Sequence, residues 1–458
     1  MLPLQKKNHE KIILAFFYFI SLQPIIDVLT TFTIVQLHSS ATVGIVIRMI
    51  YMLASLLFMA SFYKKVPFAK WATIYVVIWG IFVLGNLGIN FSQKPNFALF
   101  DEIKFFIKIS YFNIVLLNFI FIYKYFSNKD SLFKFFLRNI VWSALIIGLV
   151  MLISILTGTS LKSYQWTKIG FTGWFFAGNE IGAILAIILP IVTYFAIIRT
   201  NNIQTSYYWI PVLLSGFSLI MLGTKVGLGA LFITLFMGLL SVVVAMFRKK
   251  MPTANLKLNA LVLFFLIVVI AISTPFTPVY KNTYSHMELI GMDTDKADDP
   301  QPKTKEEKKK EKEKSKKQVE SLILSSRDIY LNKYKKYYQS SPVSQKIMGM
   351  GYAGNYKKEA KMIEMDYFDI FYSTGPIGTI LYFFPLVFLF IYSAVWALKH
   401  LADVFLPKNT MLISSIVLGL GIANFAGHVY TAPAVSIYLA VIIAYFYYDI
   451  KSTSKIKI

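Results

Sequence analysis

Cysteine is absent from this 458-residue chain, so disulfides and thiolate metal sites are excluded. Histidine is scarce: the five present are scattered, with no HxH or HExxH spacing to hold a metal through ring nitrogens. Charged residues make up only 15% of the chain, and acidic ones are half as numerous as basic ones, 23 against 46. What fills the space is apolar: 56% of residues are hydrophobic and 16% aromatic. A soluble domain needs only one apolar stripe per helix, so this composition predicts an all-α polytopic membrane protein. The net charge of +23 then reads as lysine and arginine gathered on cytoplasmic loops, not as a nucleic-acid surface, because no soluble basic face is interleaved with aromatics.

Runs long enough to span a bilayer recur about twelve times, at roughly 20 residues each. They cover 12–34, 41–62, 71–90, 103–125, 139–157, 174–197, 207–223, 226–246, 258–274, 368–396, 410–427 and 431–448. The first run contains Pro24 and Asp27 and lacks a small-residue cleavage site, so it reads as a span and not a cleaved leader. Lys6, Lys7 and Lys11, then Lys64, Lys65 and Lys70, then Arg248, Lys249 and Lys250, and finally Lys451, Lys455 and Lys457 fall on one side. Opposite loops such as "QLHSS" and "GHVYTAP" have none, which predicts cytoplasmic termini and a cell-membrane location.

The expected organisation is residues 1–274 for spans one to nine, an outside loop over 275–367, and residues 368–458 for three further spans and a tail. Within the loop, a lysine-rich low-complexity insert covers about 293–320 and is too polar to build a core. It is followed at about 321–339 by an amphipathic, interfacial helix, with Leu322, Ile329 and Tyr330 on one side.

Ionisable residues inside or at the edge of spans are costly and therefore candidates for function. An antiparallel packing of the first two spans would set Asp27 near Arg48, either as a helix-locking ion pair or with Arg48 receiving a phosphate. Asn179 and Glu180 open the sixth span, where capping is the alternative reading. Lys225 lies in "LGTKVGLG", a hairpin on the lysine-poor side, which favours anion binding there. Arg327 begins "SSRDIY". Glu364, Asp366 and Asp369 precede or open the tenth span, and His428 ends the eleventh. Cations and carboxylates gathered at one membrane face suit a lipid-linked diphosphate: cations would stabilise its departure, and a carboxylate or histidine would take a hydroxyl proton.

The order of "FAGNEIGAILAIILP", "LGTKVGLGA", "SSRDIY", "IMGMGYAGN", "EMDYFDIFYSTGPIGTILYF" and "GHVYTAPAVSIYLA" resembles the O-antigen ligase and polysaccharide polymerase superfamily of membrane glycosyltransferases. The resemblance implies a GT-C-like helical fold and an undecaprenyl-diphosphate-linked glycan as donor, with no cofactor. It would act on a glycan acceptor at the outer membrane face, polymerising or ligating repeat units for capsule, exopolysaccharide or wall polysaccharide, in a Gram-positive-type envelope. It also implies diphosphate binding by Arg327 and Lys225 and catalysis by Glu364 and His428. Position at the same face adds Arg48 for the diphosphate, Asp366 for catalysis, and Asn179, Glu180, Gly349 and Gly351 as supporting residues. A flippase for the same lipid, or a peptidoglycan-type polymerase, remains the alternative.

The stretch "MGMGYAG" carries the Gly349-x-Gly351-x-x-Gly354 spacing of a dinucleotide loop. It lacks the strand before and the helix after that such a loop needs, so its glycines read as a turn that doubles the chain back between Arg327 and Glu364.

Overall fold

The structure is a computed structural model that describes residues 7–38, 42–125, 129–163, 169–249, 251, 254–289 and 327–453. Eleven helices among these residues are long and apolar enough to cross a membrane. In chain order they are α1 (Lys7–Val35), α2 (Val43–Ala60), α3 (Pro67–Gln93), α4 (Leu99–Tyr125), α5 (Lys129–Leu156), α6 (Gly178–Arg199), α8 (Lys225–Phe247), α9 (Leu256–Ser273), α13 (Asp366–Lys399), α15 (Pro407–Phe425) and α16 (Pro433–Thr453). The chain is an all-α polytopic membrane protein, and among the described residues only a two-stranded hairpin, Leu161–Lys162 against Phe171–Gly173, stands outside that class.

The expected seventh span, 207–223, is shorter than its hydropathy suggested. A 3-10 turn at Ile203–Trp209 leads into α7 (Ile210–Met221), twelve residues long. The turn rises about 14 Å and the helix about 18 Å, which together match a hydrocarbon core of about 30 Å. The endpoints agree with a full traverse. Leu222 packs beside Gly178 at the start of α6, and the segment begins just past Thr200, where α6 ends. The end of the bundle at which α6 and α8 begin is termed the upper end below.

Helices that are apolar all round belong in the middle of a membrane bundle. α4, α6 and α16 are buried almost throughout, whereas α3, α9 and α13 show most of their apolar surface to lipid. With no hydrophobic drive between helices in lipid, polar side chains tie them together. Asn113 donates to Tyr382 O at 3.0 Å, Ser143 and Tyr438 both donate to Ile20 O, and Asn259 donates to Ile197 O at 3.1 Å.

Four short helices complete the upper end and the chain turns: α10 (Pro278–Leu289), α11 (Arg327–Ser340), α12 (Val343–Met348) and α14 (Leu401–Val404). α11 occupies the described part of the expected interfacial helix. Its buried side is set by Tyr334, 1% exposed and packed on Met350, Ile363, Met365 and Tyr372; Ile329 points away, 62% exposed. The insert at about 293–320, and Leu322, lie outside the described residues.

Candidate functional site

The site begins with the two acids that open α13. The Asp366 carboxylate accepts four hydrogen bonds from the loop before α16: His428 N–H at 3.0 Å, Val429 and Tyr430 N–H at 2.7 Å each, and the Thr431 hydroxyl at 2.8 Å. Asp369, one turn on, accepts Ile363 N–H at 2.8 Å and Met365 N–H at 3.0 Å. Both acids are fully buried, so these donors replace lost water. Asp366 thus fixes the loop of His428, and Asp369 fixes the loop of Glu364.

Those loops press together. A side chain at Gly427, which has φ +65°, would come within 2.6 Å of Glu364 O. Glu364 and His428 themselves hold left-handed backbones, φ +64° and +61°, a conformation that non-glycine residues adopt at a cost and that collects at functional sites. The result is a cluster around one carboxylate. Glu364 Oε2 lies 3.4 Å from Arg327 Nη2 and 3.8 Å from His428 Nε2, and its Oε1 accepts a hydrogen bond from Lys361.

Charge follows from this geometry. Burial alone pushes the Glu364 carboxyl up, but the facing His428 and Lys361 outweigh it and hold the group at about 2. His428 is the mirror image: burial works against its imidazolium, yet Glu364, Glu180 and Asp366 raise it above the ordinary imidazole value. Near neutral pH, Glu364 is therefore a fixed anion, and His428 holds a proton more tightly than an ordinary imidazole does.

The glycine loop is the splint for a broken helix. α13 breaks at Gly375, φ +63° and ψ −179°, just before Pro376. The break frees carbonyls, and the loop supplies donors: Met350 N–H to Tyr372 O at 2.8 Å and Gly351 N–H to Ser373 O at 3.1 Å. A side chain at Gly349, φ +95°, would overlap the Ser373 carbonyl, and one at Gly375 would overlap Ile347 O. From α3, Asn86 donates to Met348 O and Ser373 O, and Asn90 donates to Gly349 O at 3.1 Å. An ion pair buried to 1% exposure or less, Lys94 with Glu102, grips both backbone groups of Tyr352. Glu102 accepts its N–H at 2.7 Å and Lys94 donates to its carbonyl.

Beside this cluster lies a cavity of about 640 Å³ at the upper end, walled by α1, α2, α4 and the starts of α6 and α16. Arg48, Lys104, Lys108, Asp27 and Glu180 reach it among apolar side chains. Arg48 is bonded to Asp27 Oδ1 at 2.5 Å and to Gln23 Oε1 at 2.9 Å, so the helix-locking ion pair forms and Arg48 stands apart from the Glu364 cluster.

The expected site residues thus separate into groups. Arg327, Glu364, Asp366 and His428 come together. The Asp366 carboxylate is occupied by four donors and holds the His428 loop. Gly349 and Gly351 splint α13. Glu180 and Arg48 line the cavity. Asn179 does not cap α6: the capping position is Ala177, and Asn179 is an exposed residue of the first turn. Lys225 is the first residue of α8, at the upper end, where Thr224 caps Gly227 N–H. Its hairpin is clamped by Asn282 of α10, which donates to Gly223 O at 2.9 Å and to Ile169 O at 2.6 Å.

Sequence reading missed Lys361, Asn86, Asn90, Lys94, Glu102, Lys104 and Lys108. Lys108 was detectable by the rule already applied to Asp27, since it falls inside a span. The pairing of Lys94 with Glu102 around a distant peptide has no local signature.

No curated protein and no solved structure matches the chain in comparisons with known proteins. A family model described as O-antigen ligase like membrane protein matches residues 7–453. Nearly the whole chain is covered, over the helices that carry the Glu364 cluster and the cavity, and the protein therefore belongs to the O-antigen ligase-like membrane protein family.

Proposed function

We propose a finer reading of the membrane polysaccharide ligase or polymerase that family membership supports in general. In that reading, this chain transfers a glycan from an undecaprenyl-diphosphate-linked donor to a hydroxyl of a second glycan, at the outer face of the cytoplasmic membrane. The reading rests on one observation above others: a single carboxylate, Glu364, faces Arg327, Lys361 and His428 at the upper end of a membrane bundle.

In the step we envisage, the acceptor hydroxyl oxygen attacks the anomeric carbon of the donor. The bond from that carbon to the phosphate oxygen breaks, and the diphosphate leaves with the electron pair. The hydroxyl proton passes to His428, whose proton affinity lies nearer the working pH than that of Glu364, a carboxylate held at about 2. Glu364 steadies the imidazolium that forms, while Arg327 and Lys361 offset the charge growing on the phosphate next to the sugar. Asp366 keeps the His428 loop in place throughout.

Capsule, exopolysaccharide or wall-polysaccharide repeats are the proposed products. In cells lacking the protein, unjoined lipid-linked repeat units should accumulate on the outer leaflet of the membrane. Accumulation on the inner leaflet would instead indicate a flippase and remove this reading.

A further inference from the structure

Lys104 and Lys108 lie one turn apart on α4, and both line the 640 Å³ cavity. Like charges at this spacing repel each other along a helix. The Phe100 ring, 6.0 Å from Lys104 Nζ, and the Glu180 carboxylate, which attracts Lys108, offset this without an ion pair to either lysine. Lys108 is nine residues into α4, about 13 Å from its start at 1.5 Å per residue, at a depth where a cation is expensive. Among the described residues it makes no hydrogen bond or ion pair. Glu180 faces Lys108 from α6 without forming an ion pair with it, and Asp27, the other acid of the cavity, is already bonded to Arg48. The remaining wall is mostly apolar, with Ile45, Met49, Ile107 and Phe175 among a few hydroxyl side chains such as Thr42 and Tyr111. Two lysines ask for an anion, and the apolar wall asks for a hydrocarbon next to it. A phosphate joined to an alkyl chain satisfies both.

The cavity also points at the reaction. Its wall includes Ala432, Pro433 and Ala434, which continue directly from the Thr431 hydroxyl on Asp366 and from His428. A diphosphate has two phosphates, and the upper end has two groups of cations. We propose that Lys104 and Lys108 hold the lipid-proximal phosphate and the first isoprene units of a polyprenyl-diphosphate glycan in this cavity, leaving the sugar-proximal phosphate to the Arg327 and Lys361 side. The inference takes the lipid's identity from the glycosyl-transfer reading; the anion-and-alkyl character of the cavity stands without it.

Undecaprenyl phosphate carries only the lipid-proximal phosphate and is the discriminating probe. Its binding to the full-length protein in detergent is followed by native mass spectrometry titration. Lys104→Gln and Lys108→Gln should each weaken binding about tenfold or more, the scale of one lost charge-assisted contact. Lys108→Arg should stay within about twofold of wild type, which shows that the site still folds, and Arg327→Gln should bind as wild type. Unchanged binding by Lys108→Gln, no binding by wild type, or equal weakening by Arg327→Gln would overturn the assignment. So would dioleoyl phosphatidylglycerol binding with the same affinity and the same lysine dependence, which would make the cavity a general phospholipid site. Wild-type protein that shows Lys108-dependent binding but joins no lipid-linked glycan would count against glycosyl transfer and leave the cavity assignment intact.

Discussion

Glu364 and His428 face each other across 3.8 Å, from two loops whose backbones both turn left-handed to bring them there. Each changes the other's charge: the carboxylate is held at about 2 and the imidazole is raised. If neutral His428 accepts the proton, activity rises with pH along a limb whose midpoint lies above the ordinary imidazole value. Replacing Glu364 by Gln removes a cause of that rise, so the midpoint of the residual activity should move to lower pH, with turnover reduced at least about a hundredfold. A pH–rate profile of wild type and Glu364→Gln reads both effects; an unmoved midpoint would separate Glu364 from His428.

Asp366 should behave differently from Glu364. Asn at that position keeps one acceptor oxygen and turns an NH2 toward donors, leaving buried N–H groups of residues 428–430 unpaired. Asp366→Asn is expected to cost about 3 kcal/mol or more of stability along with activity. Glu364→Gln should leave thermal unfolding within about 1 kcal/mol of wild type, since Glu364 is partly solvated. Thermal melts of the two variants in one detergent make the comparison.

The glycine splint allows an equally direct test. Gly349→Ala places a methyl group against the Ser373 carbonyl at φ +95°, where both strain and overlap act. The expected result is loss of folded protein after extraction. Gly80→Ala, on the same α3 that carries Asn86, meets open space, and it should be neutral or slightly stabilising. Size-exclusion profiles of the two variants report the difference.

Breaking the Lys94–Glu102 pair from one side leaves a buried charge, at a cost of about 3–5 kcal/mol. Removing both, as in Lys94→Met/Glu102→Leu, should recover much of that stability. It cannot recover the grip on the Tyr352 peptide, so the double variant is expected to fold and yet turn over slowly. A fully active double variant would mean that the loop needs no such hold.

Because the chain contains no cysteine, orientation can be read directly. A membrane-impermeant maleimide added to intact cells should label Thr159→Cys, which is exposed at the upper end. It should not label Lys249→Cys, exposed at the opposite end. The reverse pattern would place the site inside.

Most membrane crossings were legible because a span must be apolar along its whole length. Departures arose where length and hydropathy part company. α5 starts at Lys129, ten residues before the expected 139, because "KDSLFKFFLR" buries Leu132, Phe136 and Leu137 while Lys134 and Arg138 stay exposed. α13 looked continuous over 368–396, yet the Gly375–Pro376 pair breaks it, and only the distant loop at 348–351 makes that break tolerable. The site was legible as a list of costly residues at one face. Their division of labour was not, because Asp366 and Glu364 differ only in which donors the fold brings to them: four loop groups to the first, and Arg327, Lys361 and His428 to the second.

Joining of lipid-linked glycans by the Glu364 cluster is directly testable in vitro. Purified protein is incubated with a synthetic undecaprenyl-diphosphate oligosaccharide repeat unit, and products are resolved by chain-length gel with the released lipid identified by mass. Wild type should give joined glycans with release of undecaprenyl diphosphate, and Arg327→Ala or His428→Ala variants that still fold should give neither. Full-length product from those variants, or no joining by folded wild type, would contradict joining by this cluster.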